Sequence, residues 1–165
     1  MTQTALRNDE SEIGARYLSF SLGAQSYAIP LLTVREVIAV PEITPVPTMP
    51  SYFLGIMNLR GQVISVIDLG KKMGITPADS SEVAVIICAI GTVCLGLIVD
   101  SINSVIAPEE ANISMAPVMC DVPGSDYVLK VFRDDNELTL LMDIARVLNV
   151  DDHKVAARPV PGQTE

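Results

Sequence analysis

A mainly β protein made of two small barrels is the fold class that this sequence predicts, and three observations predict it. Nearly half of the 165 residues are apolar (49%), aromatics make up only 4% and tryptophan is absent, so Val, Ile and Leu must fill the core, a composition that leans towards strands. Apolar residues alternate with polar ones over short runs that end at turn residues. The order of these runs in the first half then recurs in the second. A chain of this length suits one domain or two very small ones, and buries roughly two-thirds of the surface its unfolded form exposes.

Residues 1–15 are polar and aperiodic, bury too little apolar area to offset their ordering entropy, and are expected to be a disordered tail. They contain no apolar h-region, so no signal peptide is expected. From Tyr17 to Ile29, Leu18, Phe20 and Leu22 alternate with Ser19 and Ser21, Gly23-Ala24-Gln25-Ser26 turns the chain, and Tyr27 and Ile29 continue a return strand. In the segment that follows, Leu31, Val34 and Ile38 either pack inward or present an apolar groove. After a Pro-interrupted connection (39–51), a second hairpin turns at Arg60-Gly61 and ends at Asp68. That aspartate is placed to N-cap one helical turn, with Lys71 near its C-terminal end and Gly74 to terminate it.

Val83 to Val99 is seventeen residues without a charge, close to the length of a membrane span. Gly91-Thr92 at its middle and β-branched residues on both sides make it two buried strands joined at a turn instead. Residues 127–149 then repeat the hairpin and the capped turn, with Asp143 as cap and Asn149 as terminator. Residues 151–165, charged and Pro-rich, are expected to be a flexible tail.

The repeat is specific in its letters. At an offset of 68, Gly23 falls on Gly91, Ile29 on Leu97, Leu31 on Val99, Val34 on Ile102, Val37 on Val105 and Ile38 on Ile106. At an offset of 75, Tyr52 falls on Tyr127, Val63 on Leu138, Val66 on Leu141, Asp68 on Asp143 and Met73 on Leu148. The sequence therefore predicts two duplicated subdomains, about 16–80 and 81–150, each closing into its own barrel to remove exposed strand edges.

A formal charge of −9 and a pI near 4.5 would repel a phosphate backbone, and no cluster of Lys or Arg interleaved with aromatics offsets this, so no nucleic acid partner is expected. Cys88, Cys94 and Cys120, odd in number and without CxxC spacing, read as reduced thiols of a cytoplasmic protein. His153, the sole histidine, lies in the expected tail, which leaves Cys/His and Ser/His/Asp catalysis and His-rich metal sites without their base or ligand. No phosphate-binding glycine motif is present. No cofactor and no catalysis are expected.

Arg60 is the one ionisable acid or base other than tyrosine between Glu42 and Asp68, and its counterpart in the repeat is Asp135. Positions that serve the shared architecture should resemble each other across a duplication, whereas positions that serve a partner need not. A planar guanidinium beside apolar residues is a favoured interface anchor, Gly61 permits the tight turn, and Glu36 is a candidate neighbour. The alternative is a surface arginine without a partner.

The stretches Tyr17–Ile38, Pro50–Leu69, Val93–Ile106 and Leu138–Leu148 together resemble the CheW family of bacterial chemotaxis coupling proteins, most specifically in Gly55-Ile56-Met57-Asn58-Leu59-Arg60-Gly61 followed by Asp68-Leu69. The resemblance implies two five-stranded SH3-like β-barrels sharing a core, with short helical turns. It implies an adaptor that joins the cytoplasmic tips of methyl-accepting chemotaxis receptors to the regulatory domain of the histidine kinase CheA. It further implies that Arg60 is a partner contact with Leu59 beside it, that Val34 and Glu36 face the receptor, and that Asn58 and Gly61 shape the turn. Where many members have a glycine after the second-half tyrosine, this chain has Val128 to Phe132. No receiver domain is expected beside the adaptor.

Two alternatives accompany this reading. One is a barrel that binds a small ligand, against which Met57, Met73 and Met142 sit at core spacing and read as gap fillers. The other is a CheW-like scaffold serving a non-flagellar pathway. Direct membrane insertion is not expected.

Overall fold

Alternation of apolar and polar residues becomes eleven strands in a computed structural model that describes residues 15–79, 82–115, 127–135 and 137–147. Cys120, Asn136, Leu148, Asn149, His153 and both expected tails, Ala15 apart, lie outside the described residues. In the first half, β1 (Tyr17–Leu22) and β2 (Gln25–Pro30) form a hairpin, and a 3-10 turn over Leu31–Thr33 leads into β3 (Val34–Ala39). Hairpin β4 (Phe53–Leu59) and β5 (Gln62–Asp68) follows, then α1 (Leu69–Met73). The second half repeats this with β6 (Ala84–Ile90), β7 (Val93–Val99), β8 (Ser101–Ile106), a short β9 (Ile113–Met115), β10 (Val128–Asp134), β11 (Glu137–Met142) and α2 (Ile144–Val147). The uncharged run from Val83 to Val99 is thus a hairpin, and no helix among the described residues is long and apolar enough to cross a membrane.

Both helical turns start on the expected caps. Asp68 Oδ1 accepts the Lys71 N–H at 3.1 Å, and Asp143 Oδ1 accepts the Ala145 N–H at 3.0 Å. Gly74 ends α1 in the left-handed region at φ 73°, which glycine adopts without a Cβ penalty. The Asp68 N–H donates to Tyr52 O at 2.8 Å and the Asp143 N–H to Tyr127 O at 3.2 Å, so the tyrosines matched in sequence occupy one structural role.

The duplication extends to register. The sheets run β8-β1-β2-β11-β10-β9 and β3-β6-β7-β5-β4, and exchanging each strand for its repeat counterpart turns the first five strands of one into the other. Leu140 opposite Tyr27 matches Ser65 opposite Leu95 in the two parallel pairs, and Phe132 opposite Thr139 matches Met57 opposite Ile64. Even the bulges recur, between Phe53 and Gly55 and between Val128 and Lys130.

One expectation is corrected. Neither half closes a barrel alone: each sheet takes strands from both sides of residue 80, through β1 with β8, β2 with β11, β3 with β6 and β5 with β7. Pro30 has no N–H with which to extend the ladder, and the 3-10 turn after it carries β3 out of the first sheet and onto the edge of the second. Closure is achieved by chain that follows the edge strand. Beyond β3, Thr44 bridges to Ile56 of β4, and beyond β8, β9 pairs with β10. At Gly55 (φ 146°) a Cβ would lie 2.1 Å from Thr44 O, so the first of these closures depends on glycine.

One core joins the barrels. Phe20, Leu22 and Ile29 pack with Ile67, Leu69, Ile86, Leu95 and Leu97, and with Met142 and Ile144 below the second cap. Smaller clusters fill each barrel, around Met57, Ile64 and Val66 in one and around Phe132 and Leu141 in the other. Met57, Met73 and Met142 are buried among these side chains, as gap fillers are.

Candidate functional site: the hairpin tip at Arg60

Arg60 (φ 50°) and Gly61 (φ 85°) both stand in the left-handed region, the pattern of a type I′ hairpin turn whose twist matches its flanking strands. Asn58 Oδ1 accepts the Gly61 N–H at 2.9 Å and fixes that turn. Asp135 has φ 53°, so this position keeps one backbone conformation in both repeats while its side chain differs. Positive φ is uncommon for an arginine, and the duplicated hairpin imposes it.

The Arg60 guanidinium reaches Glu36 on β3, where Nη2 donates to Oε1. β3 and β4 are the two outer strands of their sheet, so this ion pair spans the barrel mouth between them. The Arg60 side chain is 71% exposed and that of Glu36 29%, which leaves the guanidinium facing water and the carboxylate half-sheltered. The pair is therefore a surface ion pair, a class that contributes about 0–1 kcal/mol to stability.

The structure thus brings Arg60, Glu36, Asn58 and Gly61 together at one tip. Leu59 is half-buried against the Met57 cluster and anchors the hairpin from inside the barrel. Val34 lies on the same strand as Glu36, half-buried against the shared core. Leu31 and Ile38 are likewise half-buried, each packed against a core cluster.

The exposed apolar residues of this segment are others. Leu32 is 100% exposed, and Val37 and Val40 are 40% and 41% exposed. The available signal for Leu32 was the repeat itself, because an offset of 68 places it on Asp100. Asp100 Oδ2 accepts the Gly23 N–H at 2.7 Å and the Ala78 N–H at 2.8 Å, a structural duty that a leucine cannot perform.

Among the described residues no group of His, Cys, Asp and Glu could hold a metal ion. Cys88 and Cys94 are free thiols, and burial, with a smaller contribution from Cys94, pushes Cys88 up to about 12.

Comparison with known proteins bears on this geometry. The CheW-like domain family matches residues 16–152. The chain is 30% identical over 155 residues to the chemotaxis protein CheW of Bacillus subtilis, covering 93% of this chain and 97% of that one. It is 29% identical over 147 residues to the chemotaxis protein CheW of Treponema pallidum, covering 86% and 85%. The crystal structure of the scaffolding protein TtCheW from Thermoanaerobacter tengcongensis superimposes with a TM-score of 0.75 at 30% identity, over 84% of this chain and 95% of that one.

Proposed function

Since this chain belongs to the CheW-like domain family, we propose that it is a non-catalytic adaptor of chemotaxis signalling that couples the cytoplasmic tips of methyl-accepting receptors to the regulatory domain of the histidine kinase CheA. The adaptor works in the cytoplasm and reaches the membrane only through its partners. One observation carries the proposal: a solvent-facing guanidinium is held on Glu36 at a hairpin tip whose duplicate bears Asp135 instead. Asn58 fixes the turn at the tip and Leu59 packs its base, and a backbone held in place before binding loses little freedom when a partner covers it.

Coupling then consists of simultaneous binding, in which one surface grips a receptor helix pair and another grips the kinase, and a receptor shift alters kinase geometry through packed contacts. Partner capture on purified wild-type and Arg60→Glu protein, with a receptor signalling fragment and the kinase regulatory domain as baits, tests this. The variant should lose at least one of the two partners while keeping its melting temperature within about 2 °C. Unchanged capture of both would overturn the assignment of Arg60.

A further inference from the structure

Four strand ladders join the chain's two halves, β1 with β8, β2 with β11, β3 with β6 and β5 with β7, while a single connection, residues 74–83, joins them covalently. Both edges of the first hairpin of each half, and the β5 and β11 edges of the second hairpins, are paired by the other half, and the shared core draws Phe20 and Ile67 from one half and Ile86 and Leu97 from the other. The chain is in this sense an intramolecular form of a strand-exchanged dimer, with the symmetry of its registers kept and one linker added.

We propose that the halves are separable, mutually obligate modules, so that the C-terminal half of a second copy of this chain can replace a chain's own. The contacts that hold the halves together are non-covalent and identical in either arrangement. What the linker contributes is proximity, a high effective concentration of one half for the other. Residues 75 and 78 of the linker are fastened to the first half and to the end of β7: the Ile75 N–H donates to Gly70 O at 2.8 Å, and the Ala78 N–H to Asp100 Oδ2 at 2.8 Å. Exposed Asp79 and Glu82 flank the stretch beyond that clamp, so a break there leaves every ladder and both clamp bonds in place. The proposal does not rest on the adaptor reading.

The test inserts a protease site between Ser80 and Ser81 of the full chain and cuts it. The cut protein should elute as one particle of the intact chain's size, keep its strand spectrum and melt in one transition. Pieces that separate, or a lost strand spectrum, overturn the proposal. Cut protein is then unfolded together with an equal amount of isotope-labelled cut protein and diluted back. Native mass spectrometry should find about half of the particles carrying one labelled and one unlabelled piece, and absence of mixed particles overturns the exchange. Should the insertion itself prevent folding, a circular permutant opened at the same bond, with the natural tails joined, serves instead. Tyr17 and Asp143 line one groove, so the first strand starts close to where the last one ends, and the permutant should fold with the same spectrum. A permutant that fails to fold also overturns the proposal.

Discussion

The guanidinium of Arg60, at the tip of one hairpin, donates to the carboxylate of Glu36, on an edge strand that no ladder joins to that hairpin. A contact of this kind can serve the fold, a partner, or both, and substitution separates the roles. Reversing both charges, Arg60→Glu with Glu36→Arg, keeps an ion pair and should hold stability within about 1 kcal/mol of wild type by urea denaturation. Partner capture should nonetheless fall, as in Arg60→Glu alone. Restored capture in the double variant would mean that the pair matters only as a strut.

Gly55 and Gly61 both have positive φ, at 146° and 85°, yet they differ in the space around them. Gly61→Ala meets nothing within 4 Å and should lose about 1 kcal/mol, the conformational cost alone. Gly55→Ala drives a Cβ into Thr44 O and should lose about 3 kcal/mol or more. Urea midpoints of the two variants check the difference, and equal losses would show that the Thr44 closure yields freely.

Asp100→Ala removes the acceptor of the Gly23 and Ala78 N–H groups. With Asp100 half-buried, a loss of about 1–3 kcal/mol is expected. Amide hydrogen exchange should accelerate at Gly23 and Ala78 and stay unchanged at the Arg60 turn, which localises the effect to the clamp.

Cys88 supplies a pH prediction. Its thiol titrates near 12 in the fold against 9.0 in the unfolded chain, because burial disfavours the thiolate. The native state therefore holds the proton more tightly. Stability from this group is complete below pH 9 and falls as pH rises from 9 towards 12, by about 1.4 kcal/mol per pH unit. Denaturation between pH 8 and 11 should show this slope in wild type and a shallower one in Cys88→Ala. Cys94, half-buried, should react with thiol reagents in the native protein well before Cys88.

Much of this was legible beforehand where the signal is local. Leu18, Phe20 and Leu22 alternate because a strand has a period of two, and all three are buried. Asp68 and Asp143 cap because a carboxylate ahead of a helical turn meets free N–H groups. The Arg60 tip was found by comparing repeats, which turns one chain into two sequences. Leu59 was read as an apolar flank of a recognition tip, and its place half-buried against Met57 depends on strands far away in the chain. Leu32 and Asp100 differ at matched positions of the repeat, but the exposure of one and the clamp formed by the other depend on contacts that only the fold supplies.

By itself the sequence determined the four hairpins, their turns, both caps and the duplication, since each is set by residues a few positions apart or by similarity at a fixed offset. Only the tertiary structure decided which half completes which barrel and which carboxylate Arg60 meets. Pleated strands of either half present much the same alternating apolar face to a neighbour, so the choice between them comes from three-dimensional packing around Phe20, Ile67, Ile86 and Leu97 and from the turn after Pro30, which sends β3 to the other sheet.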